Sequence, residues 1–423
     1  MLFMNIFSKI FKGSRRFDYM LSLDIGTEVV KALIFKADSK KEEGIVVGVG
    51  KARQELGNMR SGAVSDIAGV IKTSQKAIET AKEKSGVKKA KSAIVGIAGE
   101  LVKGTTTTVH YERVDPEVKI DLPELKNIIQ KVQLKAYERI RRQLSWETGQ
   151  SEIEIKLINA AITDVKIDGY QVSNPLGFQG KDVSISVFNA YAPMIHLGAL
   201  QTIANKLKIN LISIVAEPYA VARSVGYEGE FDFSAIFIDV GGGTTDIAVV
   251  RNGGLEGTRM FALGGRAFSK RLSQELNISF EEAESLKIKY SEGRLSADAG
   301  AKVEKILDDD CRVWLGGVEI SLSEFNQNNS LPSKVLLCGG GSAMPGIKKA
   351  LDSSKWIERL PFTVKTLDIN FLQPKDVARM KDETRELVNP QDVTPLALAN
   401  LILDMASEER VMAGILRRAM QDI

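Results

Sequence analysis

The chain has 423 residues, 44% of them hydrophobic, and 57 Lys and Arg against 54 Asp and Glu give a formal net charge of +3. That length supports a large core, divided between two lobes. The near balance of charge and the 6% aromatic content exclude the basic excess and stacking platforms of a nucleic-acid binder. Two cysteines in unrelated contexts, Cys311 and Cys338, exclude a disulfide framework and fit a reducing cytosol. His110 and His196 are too far apart in sequence to support a His-based metal site, and no apolar run reaches the ~18–20 residues of a bilayer span.

Residues 1–17, MLFMNIFSKIFKGSRRF, read as a basic amphipathic segment. At roughly 100° per residue, Leu2, Phe3, Met4, Ile6, Phe7, Ile10 and Phe11 share one half of a helix. Lys9, Lys12, Arg15 and Arg16 all precede the first acid, Asp18. This is the pattern of a helix lying in a membrane interface. A disordered basic leader, or a helix packed on the body, is the plain alternative. A signal peptide fits poorly, because Ser8 and Lys9 interrupt the apolar part and no small-residue cleavage site follows.

From Tyr19 the texture is α/β. YMLSLDIGTEVVKALIFKA predicts strand, tight turn, strand. In SDIAGVIKTSQKAIETAKEKSG, Ile67, Val70, Ile71, Ala77 and Ile78 stand at near-helical spacing, with Gly86 past the end. SAIVGIAG is a buried strand. The pattern then changes: TTTTVHYERV predicts a strand, LPELKNIIQKVQLKAYERIRRQL a basic amphipathic helix, and two further stretches hairpin strands. Alternation resumes with the helix LGALQTIANKLKI, the strand and helix NLISIVAEPYAVARSVG, and the hairpin FSAIFIDVGGGTTDIAVVRNGG. The expected organisation is a first-lobe core at 18–98 and 188–229 interrupted by an insert subdomain at 99–187, then a second-lobe core at 230–270 and 331–404 around a small subdomain at 271–330, and a C-terminal helix at 405–423. Asp24-Ile25-Gly26-Thr27 recurs as Asp239-Val240-Gly241-Gly242-Gly243-Thr244, each between apolar strands. Such a recurrence is the mark of an internal duplication, with a nucleotide held between equivalent hairpins.

The chemistry-bearing residues cluster in three turns. Gly241, Gly242 and Gly243 permit a turn with positive φ and close approach to an anion, and their N–H groups can form a nest. Thr244 and Thr245 add hydroxyls. Asp239 and Asp246 add carboxylates, which hold Mg²⁺ through its waters better than they hold phosphate. Asp24, Gly26 and Thr27 offer the same parts from the other turn. Lys31 either offsets phosphate charge or is a solvated strand lysine. In KVLLCGGGSAMPGIKKAL a buried strand runs into Gly339-Gly340-Gly341-Ser342, and Pro345 opens a helix whose first N–H groups can meet phosphate. The pattern is neither the P-loop nor the dinucleotide fingerprint.

These three strand–turn motifs, in this order, resemble the phosphate-one, phosphate-two and adenosine motifs of the actin-like ATPase superfold. The resemblance implies a two-lobed actin-like ATPase fold with duplicated RNase H-like cores. IDGYQVSNPLGFQGKDVSISV looks like the end of the SHS2-like insert subdomain of the bacterial cell-division FtsA family. LGGRAFSKRLSQELNISFEEAESLKIKY and NPQDVTPLALANLIL resemble both FtsA and PilM, a cytoplasmic component of type IV pilus assembly.

Carried over residue by residue, the resemblance implies ATP and Mg²⁺ as cofactors. Asp24, Gly26 and Thr27 would contact phosphate and Mg²⁺ from one lobe, and Asp239, Gly241, Gly242, Gly243, Thr244 and Thr245 from the other. Gly339, Gly340, Gly341, Ser342 and Met344 would border the adenosine. Glu284 and Lys287, three apart on one helix face, would meet the ribose or else form an exposed helix surface. Glu217 would position the attacking water or simply cap the next helix. The implied function is an actin-like protein of cell division, at most a slow ATPase. It would self-associate into filaments and bind an anionic membrane surface, peripheral on the inner face of the cytoplasmic membrane, and tether FtsZ through its C-terminal tail. The alternative is a PilM-like cytoplasmic adaptor that binds a peptide of a pilus inner-membrane protein.

Overall fold

In a computed structural model the described residues are 19–38, 43–99, 102–150, 152–225, 233–325 and 330–407. The amphipathic segment expected at 1–17 and nearly all of the helix expected at 405–423 lie outside them.

The chain opens with a meander of β1 (Tyr19–Ile25), β2 (Val29–Asp38) and β3 (Glu43–Arg53), followed by the two-residue strands β4 (Met59–Arg60) and β5 (Ala63–Val64). Helix α1 (Ile67–Ser85) starts where the Asp66 side chain accepts from the Ala68 amide and ends at Gly86, in the left-handed region at φ 68°. After β6 (Ser92–Ile97) come β7 (Lys103–Glu112), α2 (Leu122–Thr148), β8 (Ile155–Ile167), β9 (Tyr170–Gln171) and β10 (Asp182–Pro193). Helix α3 (Met194–Lys206), β11 (Asn210–Ala216) and α4 (Glu217–Ser224) complete the first half. The second half begins with the meander β12 (Ala235–Val240), β13 (Thr245–Arg251) and β14 (Gly254–Phe261). Helices α5 (Gly265–Leu276), α6 (Phe280–Ser291) and α7 (Ala297–Ser323) follow, then β15 (Lys334–Cys338), α8 (Pro345–Leu351), α9 (Ser354–Ile357), β16 (Asp368–Phe371), β17 (Met380–Asp382) and α10 (Val393–Ser407). No helix among the described residues is long and apolar enough to cross a membrane.

Two mixed sheets carry the lobes. The first runs β11-β6-β1-β2-β3-β17 and the second β16-β15-β12-β13-β14-β7-β10-β8-β9. The β1–β2–β3 and β12–β13–β14 meanders are equivalent, each entered by an antiparallel hairpin. Strand alternation divides the second sheet between two cores. Ile236, Ile238 and Val240 pack with α5, α7 and α8, whereas Ala235 and Phe237 face the other way and join the core of the first lobe. Asp239 follows Phe237 on that inter-lobe face, and its cross-strand partner is Asp246.

Two features of connectivity depart from expectation. The chain returns to the first lobe before its end. β17 pairs with β3, and α10 buries Leu396, Leu398, Leu401 and Ile402 in the first-lobe core beside α4 and β1. The second lobe expected through residue 404 therefore extends only to about Phe371. The reason is that α10 is apolar nearly all round, and such a helix must be covered on every side. The insert, in turn, is not an appendage of one lobe. Its strand β7 pairs with β14 through Gly257↔Thr105 and Thr258↔Gly104, so its sheet continues that of the second lobe.

Candidate functional site

The two turns predicted to bind phosphate meet at the boundary between the lobes. In the β1–β2 hairpin, Asp24 pairs with Lys31 across the strands. Lys31 Nζ lies 3.0 Å from Asp24 Oδ2, with both side chains largely buried. Burial pushes the Lys31 ammonium down, but the adjacent Asp24 carboxylate outweighs it, so its pKa is raised. Lys31 is therefore not a solvated strand lysine.

In the β12–β13 hairpin, the Gly241 amide donates to the Thr244 carbonyl at 2.9 Å. The carbonyls of Gly241 and Gly242 accept from the first amides of α5, Gly265 at 2.9 Å and Arg266 at 2.7 Å. The start of that helix thus braces the turn. A Cβ on Gly242 would come within 2.8 Å of the Glu28 Cβ, and one on Gly243 within 2.8 Å of Thr27 Oγ1. The glycines let the opposite turn, rather than only an anion, approach the backbone.

Four carboxyl groups face this junction. Glu217, half-buried at the first position of α4, has its pKa raised well above the ordinary carboxylate range by burial, then by Asp24, Asp246 and Asp239. It is the acid of the first turn of α4, whose N-cap, Ala216, makes no side-chain bond. Asp239 is raised by burial, opposed by the hydroxyl of Thr394, which donates to its Oδ2 at 2.6 Å. Asp246 is buried and pushed up to about 8 by burial and by Asp239. Thr244 donates to Asp246 Oδ2 at 3.2 Å, while Oδ1 has no hydrogen-bond partner among the described residues. Burial, and then the neighbouring Asp239, also push the Cys338 thiol well up.

Several expected ligands are instead committed to the protein interior. Thr245 donates to the Leu263 carbonyl at 2.7 Å and accepts from the Trp314 indole at 2.9 Å, with no exposure. The period-2 alternation that aims Asp246 at the cleft aims Thr245 at the second-lobe core. Met344 is buried among Ile347, Leu351 and their neighbours. Ser342 spends its hydroxyl on the Gly339 carbonyl at 2.7 Å. Gly339 itself, at φ +84°, can only be glycine: a Cβ there would lie 2.1 Å from Asp239 Oδ1. Gly341 abuts Val240, and Gly340 stands beside Gln391, so the third turn packs directly on the second.

Glu284 and Lys287 do not form an exposed helix surface. Lys287 Nζ bonds Glu284 Oε2 at 2.7 Å and the Gly265 carbonyl at 2.9 Å, and Ser269 donates to the same carboxylate. The pair is buried and fastens α6 to the first turn of α5, beneath the Gly241–Gly242 bend.

Sequence reasoning passed over three residues that reach this junction: Thr394, Arg266 and Glu28. Glu28 accepts from Arg53 and Arg266, and Arg266 belongs to the second lobe. Only adjacency to the motifs marked them. The donor set suits a hydrated Mg²⁺, because the buried Asp246 oxygen is unpartnered and the carboxylates outnumber Lys31. No three of the described acids, Cys or His converge closely enough to ligate one ion directly.

A family model for cell division protein FtsA matches residues 236–394. Cell division protein FtsA of Streptococcus pneumoniae is 25% identical over 347 residues, covering 78% of this chain and 72% of that protein. FtsA of Pseudomonas aeruginosa is 25% identical over 353 residues, covering 77% and 78% respectively. Among solved structures, the PilM-PilN type IV pilus biogenesis complex superposes with a TM-score of 0.63 at 15% identity, covering 91% of this chain and 98% of that one. The chain is thus similar to cell division protein FtsA over most of its length and has the actin-like ATPase fold.

Proposed function

We propose that the protein is an ATP-binding, actin-like component of cell division. In this reading it self-assembles on the inner face of the cytoplasmic membrane and tethers FtsZ. The observation that carries the nucleotide half is the meeting of two equivalent hairpin turns, with Asp24, Lys31, Asp239 and Asp246 gathered where they touch. Asp24 and Asp239 would hold Mg²⁺ through its waters, and Lys31 would offset phosphate charge. Gly339–Gly341 would border the adenosine, with Glu284 and Lys287 shaping the floor beneath the second turn. ATP bound there supplies a scissile anhydride. The chain's own part is to orient it. Glu217, whose pKa is raised by burial and by Asp24, Asp246 and Asp239, would position the attacking water in what is at most a slow ATPase. Equilibrium binding of labelled ATP to wild type and Asp239→Ala tests the reading: loss of binding supports it, and equal affinity sinks it.

A second reading, a PilM-like cytoplasmic adaptor, is favoured by the compactness of the second lobe's small subdomain. Between Phe261 and Lys334 the described residues form three helices and no strand. Recruitment of FtsZ to anionic liposomes separates the two readings. FtsZ that pellets only with this protein supports the cell-division role, and no recruitment moves the assignment to the adaptor. Phe7→Glu should abolish pelleting if residues 1–17 form the anchor.

A further inference from the structure

Glu28 follows the first phosphate turn directly, and each of its carboxylate oxygens is claimed by a different arginine. Arg53 Nε, from β3 of the same lobe, lies 2.6 Å from Oε1. Arg266 Nε, from the first turn of α5 in the other lobe, lies 2.7 Å from Oε2. Arg266 also reaches the carbonyls of Leu56 and Met59, each at 3.3 Å, and its backbone amide bonds the Gly242 carbonyl at 2.7 Å. One residue therefore holds the second phosphate turn, the first phosphate turn and the β3–β4 loop together. The Glu28 and Arg266 side chains are 17% and 15% exposed, so solvent screens the pair only partly. Charge-assisted bonds of this kind are the strong ones.

We propose that Glu28 and Arg266 form a clasp that keeps the two phosphate turns closed on each other until a polyphosphate opens them. At the clasp the turns touch. A Cβ built on Gly242 or Gly243 would meet Glu28 or Thr27 at 2.8 Å, so the two turns are in contact at these positions. A phosphate seated between the turns must part them, and parting them stretches Arg266 away from Glu28. Glu28 thus stands as a built-in anionic competitor at the mouth of the site. The guanidinium it releases, whose Nη2 has no hydrogen-bond partner among the described residues, becomes available to the incoming phosphate. The link to nucleotide rests on the ATP reading above, whereas the clasp does not.

Deuterium exchange of the full unliganded chain tests the clasp alone, read on peptides spanning residues 24–28, 54–66 and 241–246. Glu28→Gln and Arg266→Gln should each speed exchange there on the order of tenfold. The double variant should fall well short of the sum of the two singles on 241–246, and Arg266→Lys should fall between wild type and Arg266→Gln. Arg53→Gln removes only the same-lobe half and should leave 241–246 near wild type. Unchanged exchange in Glu28→Gln and Arg266→Gln, or additive effects in the double variant, would overturn the clasp. Stopped-flow mixing with a fluorescent ATP analogue then tests gating. Association should quicken on the order of tenfold in Glu28→Gln, and an unchanged rate despite loosened exchange would overturn the gating. Absence of binding in every protein would count against the ATP reading, with exchange still deciding the clasp.

Discussion

Thr394 Oγ1 donates to Asp239 Oδ2 at 2.6 Å, joining a helix packed on the first lobe to a strand of the second across 155 positions of sequence. The bond does two things. It favours the ionised form of Asp239 against the burial that opposes it, and it fixes where the second-lobe hairpin stands relative to α10. In the proposed site, a carboxylate that holds a hydrated cation would need both.

Thr394→Val keeps the shape and removes the donor. The expected outcome is a loss of about 1–2 kcal/mol in stability, the cost of leaving a buried acceptor short of one bond. A weaker affinity for Mg²⁺-ATP should accompany it. Thr394→Ser should restore most of both. Denaturant midpoints for the three proteins check the first effect, and calorimetric titration checks the second.

Asp246 predicts a pH dependence. Its folded pKa of about 8 stands well above the ordinary carboxylate value of 3.8. Below about pH 4 both folded and unfolded states keep the proton, and the group costs nothing. Between about pH 4 and 8 the unfolded chain ionises while the folded one does not, so stability falls as pH rises. Above about pH 8 both are ionised and the loss is constant. Asp246→Asn, which can still accept from Thr244, should melt increasingly above wild type as pH climbs through that window. A gap that stays level from pH 4 to 8 would refute the assignment.

The buried Glu284–Lys287 pair should show an asymmetry between single and double replacement. Lys287→Met leaves a carboxylate and the Gly265 carbonyl without their shared donor, and should cost about 3–5 kcal/mol. Glu284→Leu combined with Lys287→Met removes both charges and should cost less than that single change. Chemical denaturation of the singles and the double checks this. A double variant worse than the sum of the singles would mean that the pair does more than satisfy itself.

Local rules carried the hairpin turns and most of the elements. Apolar strands with glycine at the bend read correctly at Asp24–Thr27, at Asp239–Asp246 and at Gly339–Gly341, because a turn's chemistry is written in four or five adjacent residues. The insert's strand–helix–hairpin order was equally legible from the switch between periods of 2 and 3.6. The sequence by itself thus determined the turns, their duplication and the α/β alternation. Three things were decided only by tertiary structure. Thr245 faces Trp314 rather than the cleft, because register sets which of two adjacent hydroxyls points inward. Glu284 and Lys287 became buried, because α6 lies on α5. The apolar helix at Val393–Ser407 was certain to be covered, yet nothing in its own residues said which sheet would cover it. That choice brought Thr394 to Asp239. Composition and periodicity govern whether a side chain is buried. What it meets there depends on residues 22 positions away for Lys287 and Gly265, and 155 away for Thr394 and Asp239, which a reading along the chain does not bring together.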